Sequence, residues 1–337
     1  MATKITMATK IFTPQKNIIE NPNSRKIYHI CLSAKDEVMF RSQEDYNRAF
    51  NYYALALFKT NSIGIADVFM SNHLHIVIQT SQPEKLMYSF RNSYAKYFNR
   101  KYSRKGRLGE KKVYCIELSG LYHIIAAISY VLRNPLHHGV SPTAFGYIHS
   151  SINSIFKNEL GKEVTYNLLP KKSYYKHLGQ HTKFPQHFRM TNSGIFLREC
   201  VNDIQFVENI FTTPRAFNYY MTRRSGEEWS KEQEKDNNGK SPITLQEIEA
   251  WAFEGENDTI RRLKTLLQYE TGRENYKRVS DIELCTRIDQ LIQSYFKNNS
   301  KNNSIYTINT TEKQLLEELI TKEYFIKPTQ LRRCLVM

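Results

Sequence analysis

A chain of 337 residues, 40% of them hydrophobic and 24% charged, is long enough to bury a core without disulfide staples. No apolar run reaches the roughly 18 residues of a membrane span, and Lys4 and Lys10 are not followed by a signal-peptide core. The cysteines Cys31, Cys115, Cys200, Cys285 and Cys334 form no CxxC pair, so a cytoplasmic protein with neither a disulfide framework nor a zinc site is expected. The formal charge of +15 lies in the first 240 residues, since Ser241–Met337 holds 14 basic and 14 acidic residues against 34 and 19 before it. A field of one sign favours a polyanion, and nucleic acid leads over acidic lipid because no basic amphipathic helix stands out. A merely soluble basic surface is the plainer alternative.

In chain order, residues 1–24 read as a loose arm that repeats Met-Ala-Thr-Lys. Lys26–Ser33 alternates with Tyr28, Ile30 and Leu32 on one face, the pattern of a half-buried strand. Gln43–Lys59 reads as a helix capped by Ser42, with Tyr46, Phe50, Tyr53 and Leu57 as its apolar stripe. Gly64–Phe69 and His73–Gln79 fit two antiparallel strands across a tight turn.

Lys85–Leu118 carries ten Lys or Arg against two acids, interleaved with aromatics. It is expected to be helical to Asn99, and Lys101–Lys112, with Gly106 and Gly109, is expected to be an exposed loop. Ser119 begins a further helix in which Leu121, Ile124, Ile125, Ile128, Val131 and Leu132 recur at helical spacing until Asn134-Pro135 stops it.

Beyond Gly139 the pattern weakens, and Tyr147–Phe156 and Leu168–Phe188 receive no element. Ser225–Ser241 reads as a linker. Thr244–Phe253, Thr259–Tyr269 and Ile282–Phe296 carry helical periodicity. Thr311–Glu323 followed by Lys327-Pro328-Thr329 and Leu331 suggests two helices across a short turn, either a helix-turn-helix or a packing element.

The chemistry concentrates at two places. On the strand, His73, His75 and Val77 share a face while Leu74, Ile76 and Ile78 take the other, so two imidazoles point the same way and form part of a shell for a divalent metal. By itself H-x-H is more often two surface or hydrogen-bonded core histidines than a metal site. On the later helix, His123, Ala127, Tyr130 and Asn134 line one face opposite the apolar set. That presents Tyr130 away from the core as a candidate nucleophile and Asn134 as a candidate third ligand, whereas a lone helical tyrosine is ordinarily a packing residue.

Met70-Ser71-Asn72-His73-Leu74-His75-Ile76-Val77 resembles the HUH motif of single-tyrosine transposases, and Tyr130-Val131-Leu132-Arg133-Asn134-Pro135 is similar to their tyrosine helix. Among these the REP-associated tyrosine transposases are the nearest likeness, over about Arg25 to Val140, including Tyr28-His29-Ile30, Tyr97-Phe98-Asn99 and Leu136-His137-His138-Gly139-Val140. The resemblance implies an α+β fold, a central antiparallel sheet flanked by helices with a ferredoxin-like core, and here a mostly helical C-terminal extension. It implies a catalytic domain over 25–150; outside the likeness, composition and helical periodicity suggest a basic extension and linker over 151–240 and a helical domain over 241–337. It further implies Tyr130 as nucleophile, His73, His75 and Asn134 holding Mg²⁺ or Mn²⁺, and single-stranded DNA with hairpins as partner. Cleavage then leaves a 5′-phosphotyrosine and a free 3′-hydroxyl, in a monomer or homodimer. Ser71 stands where such proteins often have Pro, and Glu110-Lys111-Lys112-Val113 replaces a Gln-x-Arg-aromatic signature.

Lys96, Arg100, Lys101, Arg104, Lys105, Arg107, Lys111 and Lys112 are candidate phosphate contacts, with Tyr97 or Tyr102 stacking on bases, while Phe90, Tyr94 and Phe98 read as core. A domesticated, non-catalytic DNA- or RNA-binding protein on the same fold is the alternative function. A metal-dependent hydrolase using water is a third.

Overall fold

Five antiparallel strands make one sheet in the order β1-β5-β2-β4-β3. They are β1 (Thr9–Phe12), β2 (Lys26–Ser33), β3 (Ile63–Met70), β4 (His73–Thr80) and β5 (Val113–Leu118). The computed structural model describes residues 9–12, 25–162, 165–222, 279–296, 303–324 and 326–337. The linker expected at Ser225–Ser241 and the helical segments Thr244–Phe253 and Thr259–Tyr269 lie outside these residues. Within the segment expected to be a loose arm, β1 pairs with β5, Thr9 opposite Ile116 and Phe12 opposite Val113.

One face of the sheet carries α1 (Gln43–Lys59) and α2 (Pro83–Lys101). Ser42 and Asp45 close a capping box at the start of α1. Its stripe of Tyr46, Phe50, Tyr53 and Leu57 packs with Leu86, Phe90, Tyr94 and Phe98 of α2 over Ile30, Leu32, Leu74, Ile76 and Ile78 of the sheet. The other face carries α3 (Leu121–His137), whose Ala127, Tyr130 and Val131 lie in one cluster with Val68, Met70, Val77 and Ile116. The inner strands β2 and β4 are therefore buried on both faces over most of their length, and β2 is not the half-buried strand its alternation suggests. Pro135 does not stop α3, which runs on to His137; in the last turn a proline removes one backbone donor and the helix closes around it.

The segment after Val140 covers what is left of this half. Short helices α4 (Tyr175–Leu178), α5 (Arg198–Val201), α6 (Ile204–Phe211) and α7 (Pro214–Thr222) follow in order. Val207, Phe211, Phe217 and Met221 of α6 and α7 join the α3 cluster. The exposed edge of β3 is closed as well: Phe69 N–H donates to His149 O at 2.9 Å, Asp203 N–H donates to Gly64 O at 2.8 Å, and the buried Asp67 carboxylate accepts from Arg198 Nε at 3.0 Å and Asn202 Nδ2 at 2.6 Å. Closing an edge this way removes a template for unwanted pairing.

The C-terminal helices α8 (Asp281–Tyr295), α9 (Thr310–Glu323) and α10 (Pro328–Leu335) build a third cluster from Leu284, Ile288, Leu316, Ile320, Leu331 and Leu335, into which Val38 inserts. The pair α9–α10 is the expected two helices across a short turn. Arg333 and Gln330 of α10 are both held by Asp281, Arg333 Nε at 3.0 Å and Gln330 Nε2 at 2.9 Å, which is the bonding of a packing element. No helix among the described residues is long and apolar enough to cross a membrane.

Candidate active site

The alternation of β4 sets His73 and His75 on the face beneath α3, His73 opposite Ser33 and Met70, His75 opposite Cys31 and Val68. From α3, Asn134 brings its Oδ1 to 3.0 Å from His73 Nε2. One turn earlier, Tyr130 stands edge-on to His75, with ring centroids 5.2 Å apart, and to His29 at 5.8 Å. The strand face and the helix face singled out by sequence are therefore brought together.

The Asn72 hydrogen bond sets which nitrogen of a neutral His73 carries the proton. Asn72 Nδ2 donates to Lys35 O at 2.9 Å, which leaves Asn72 Oδ1 to accept from His73 Nδ1 at 2.9 Å. With its proton on Nδ1, His73 presents a lone pair at Nε2, and that lone pair faces a second one on Asn134 Oδ1. Asn134 Nδ2 is buried without a hydrogen-bond partner among the described residues. Two facing acceptors are stable with a cation beside them, and 3.0 Å matches the spacing of neighbouring corners in an octahedron of about 2.1 Å metal–ligand distance. Turning the Asn134 amide over would let Nδ2 donate to His73 instead, so the pair serves as ligand set with a cation and as hydrogen bond without one.

His75 adjoins this pair, its ring centroid 5.3 Å from that of His73. Burial, reinforced by the neighbouring His29, His73 and His138, pushes its pKa well below the ordinary value, so the ring is neutral and ligand-competent at pH 7. Its Nδ1 lies 3.0 Å from His29 Nε2 and its Nε2 lies 3.8 Å from Cys31 Sγ. Among the described residues no group of three or more His, Cys, Asp and Glu side chains is arranged to hold a metal. The fit therefore rests on His73 Nε2 and the Asn134 amide oxygen, with the neutral His75 ring beside them. Such a set suits a hard divalent ion that keeps several waters.

Two expectations about exposure are corrected. Tyr130 does not project away from the core; it is 2% exposed, because the face bearing His123, Ala127, Tyr130 and Asn134 is the one laid on the sheet. The supposed core side of α3 begins with Leu121 at 59% exposure and is covered farther along by α6 and α7. Tyr97 and Tyr102 are buried, with their hydroxyls donating to Asp45 at 3.0 and 2.7 Å, so neither is placed to stack on a base. Phe90, Tyr94 and Phe98 are core residues as expected.

The eight candidate phosphate contacts divide into two groups. Lys101 is spent on Asp45 at 2.8 Å and Glu44 at 3.0 Å, and Arg104 holds Glu37 in a two-pronged pair at 2.6 and 2.8 Å. Lys96, Arg100, Lys105, Arg107, Lys111 and Lys112 are exposed. Glycine geometry keeps the loop in shape: Gly109 sits at φ 75, and a Cβ there would meet Ser33 O at 3.1 Å.

Sequence reasoning missed His29, His137 and His138 as neighbours of the site. The Tyr130 ring lies against His137 at 6.0 Å, and the His73 ring meets His138 at 5.2 Å. A usable signal existed in the alternation of β2, where His29 and Cys31 share the face opposite Ile30 and Leu32.

No family model matches the chain, and no curated protein matches it. Among solved structures, one described as the REP-associated tyrosine transposase bound to a REP hairpin is similar, at 9% identity over 43% of this chain and 87% of that one, with a TM-score of 0.36.

Proposed function

We propose that this chain is a metal-dependent single-stranded DNA transposase that cleaves and rejoins DNA beside hairpins through Tyr130. The observation that carries the reading is the convergence of His73 Nε2 and Asn134 Oδ1 at 3.0 Å with the Tyr130 ring against His75. Histidine, asparagine and tyrosine, the residue types one such reaction uses, come from two elements, with His73 and Asn134 61 residues apart in the chain.

In this reading His73, Asn134 and His75 hold Mg²⁺ or Mn²⁺, which when bound neutralises charge on the scissile phosphate. Tyr130 supplies the nucleophile. Its phenol oxygen attacks phosphorus, the phenolic proton is given up, the bond from phosphorus to the 3′ oxygen breaks, and the products are a 5′-phosphotyrosine and a 3′-hydroxyl. The link conserves the phosphodiester's energy, so the 3′-hydroxyl can reverse the step without a nucleotide. Because Tyr130 is buried, the strand reaches it only when its cover moves, and the half-buried His137, whose ring lies against Tyr130, belongs to that cover.

The direct test is a covalent-adduct assay on hairpin-bearing single-stranded oligonucleotides with Mn²⁺. Wild type is expected to form a denaturation-resistant protein–DNA band that Tyr130→Phe abolishes. A band retained by Tyr130→Phe removes Tyr130 as nucleophile.

The burial of Tyr130 favours one other reading, a non-catalytic DNA- or RNA-binding protein in which the tyrosine is a packing residue. It predicts salt-sensitive binding that neither metal nor His73→Ala alters, and no adduct.

A further inference from the structure

A single strand is held by cations on its phosphates and aromatic rings under its bases. Tyr97 and Tyr102 are buried against Asp45 and cannot supply such a ring. Tyr114 of β5 is placed differently. Along β5, Val113 and Cys115 join the core under α1 and α2, while Ile116 and Leu118 join the cluster under α3, so alternation turns Tyr114 to the α3 face. In the register Tyr114 stands opposite Cys31 on β2, and Cys31 stands opposite His75 on β4. Tyr114, Cys31 and His75 thus form one row across the site face, two strand spacings or about 10 Å from end to end.

The helix covers only part of that row. It begins just after Leu118 and crosses the sheet away from β5, bringing Asn134 to His73 on β4. Ile116 and Leu118 are buried, whereas Tyr114 is half-buried and belongs to neither cluster of the sheet. Among the described residues its side chain takes part in no ring contact and no hydrogen bond. Charge lies beside it. Lys111 and Lys112 are exposed, and their backbone is tied down, with Arg91 Nη1 donating to Lys111 O at 3.1 Å and Glu110 N–H donating to Ser33 O at 2.8 Å. Ser33 is the residue opposite His73, so the loop is fixed at the end of the sheet that holds the His73–Asn134 pair.

We propose that Tyr114 is a base-stacking platform for single-stranded DNA, seating a base that flanks the phosphate held at His73 and Asn134 while Lys111 and Lys112 meet the neighbouring phosphates. Stacking accepts every base, so the ring positions the strand without reading its sequence. The role rests on the single-strand reading of the site and deepens it, because it needs neither the metal nor the nucleophile to be measured.

The test is fluorescence anisotropy on the full chain with a hairpin-bearing single strand, and with copies of it that lack one base at a time but keep the backbone. Tyr114→Ala is expected to weaken binding roughly 5- to 150-fold. The slope of log affinity against log salt should stay as in wild type, since no phosphate contact is lost. Tyr114→Phe, which keeps the ring, is expected to bind as wild type does. Removing one particular base should weaken wild type by a similar factor and should cost Tyr114→Ala nothing further, a coupling that a packing role would not produce. Wild type indifferent to the removal of every base overturns the proposal whether or not Tyr114→Ala folds. So does the same base-removal profile in wild type and Tyr114→Ala, or a Tyr114→Phe as weak as Tyr114→Ala, which would assign the contact to the hydroxyl. Wild type that binds no single strand overturns the DNA reading and the platform with it, whereas tight binding and adduct formation that survive Tyr114→Ala overturn the platform alone.

Discussion

Burial lowers the pKa of His29, His75 and His149, and His149 isolates the effect outside the candidate site. It is 4% exposed, its ring lies parallel to Tyr46 at 3.7 Å, and burial, with Arg198 nearby, pushes its pKa down to about 3. The unfolded histidine takes its proton near 6.5, so below that pH the unfolded chain binds a proton that the folded chain refuses. The stability tied to a neutral His149 is thus complete above about pH 6.5 and is lost as pH falls toward 3. Between pH 7 and 4.5 wild type should lose roughly 2–3 kcal/mol more than His149→Phe, measured by urea unfolding at both pH values. Parallel losses in the two proteins would show that His149 titrates normally. At this scale the sequence made the ligand set legible but not the surroundings. Period two in β4 and the four-residue step from Tyr130 to Asn134 are local properties. The burial of Tyr130 depends on α3 laying that face on the sheet, against the rings of His29 and His75, and no local pattern carries it.

Among the elements, the start of α1 holds the densest polar junction on the α1–α2 side of the sheet. Asp45 is fully buried and accepts from the backbone N–H of Arg41 and Ser42 at 3.0 Å each, from Tyr97 and Tyr102, and from Lys101. A buried carboxylate is tolerable when its lone pairs are filled this way. Asp45→Ala would remove half of the capping box, leave two buried hydroxyls without their acceptor and leave Lys101 with Glu44 and Ser42, a loss of roughly 3 kcal/mol or more. Asp45→Asn keeps an acceptor and should lose less. Unfolding midpoints should rank wild type, Asn, Ala in that order, and an Ala variant within about 0.5 kcal/mol of wild type would show that the junction is not coupled to folding. The junction explains why the basic segment reads two ways in sequence. Ser42 and the α1 stripe were legible as a cap and a core face, but nothing at Lys101 or Tyr102 reveals that the partner lies some 55 residues earlier. The turn between β3 and β4 is held in a similar long-range fashion: Ser71 Oγ donates to Asp281 Oδ2 at 2.5 Å, and the next residue, Asn72, sets the His73 proton. The C-terminal helices therefore brace the turn that leads into the histidine strand, so a role for them was not readable from either segment alone.

At the scale of the whole molecule the excess positive charge becomes a surface only after its internal uses are removed. Lys101 and Arg104 serve the fold, and Arg41 is buried with Nη1 donating to Cys334 O at 2.8 Å, tying the C-terminal helices to the sheet domain. What stays exposed in the basic segment is Lys96, Arg100, Lys105, Arg107, Lys111 and Lys112, four of them on one loop and the other two on the last turns of α2. If these cations neutralise phosphates, each contact releases condensed counterions, and affinity falls with salt in proportion to their number. For single strands each contact contributes about 0.7 to the slope of log affinity against log salt. Replacing Arg107, Lys111 and Lys112 together by Gln should therefore flatten that slope by about 2 and weaken binding evenly across unrelated oligonucleotides. The measurement is fluorescence anisotropy from low to moderate salt, on single strands with and without a hairpin. Folding should be unaffected, since all three side chains are exposed. A triple variant with the wild-type slope would move the nucleic-acid surface elsewhere. One that loses affinity for hairpin strands alone would make the loop a reader of hairpin shape in place of a general phosphate contact.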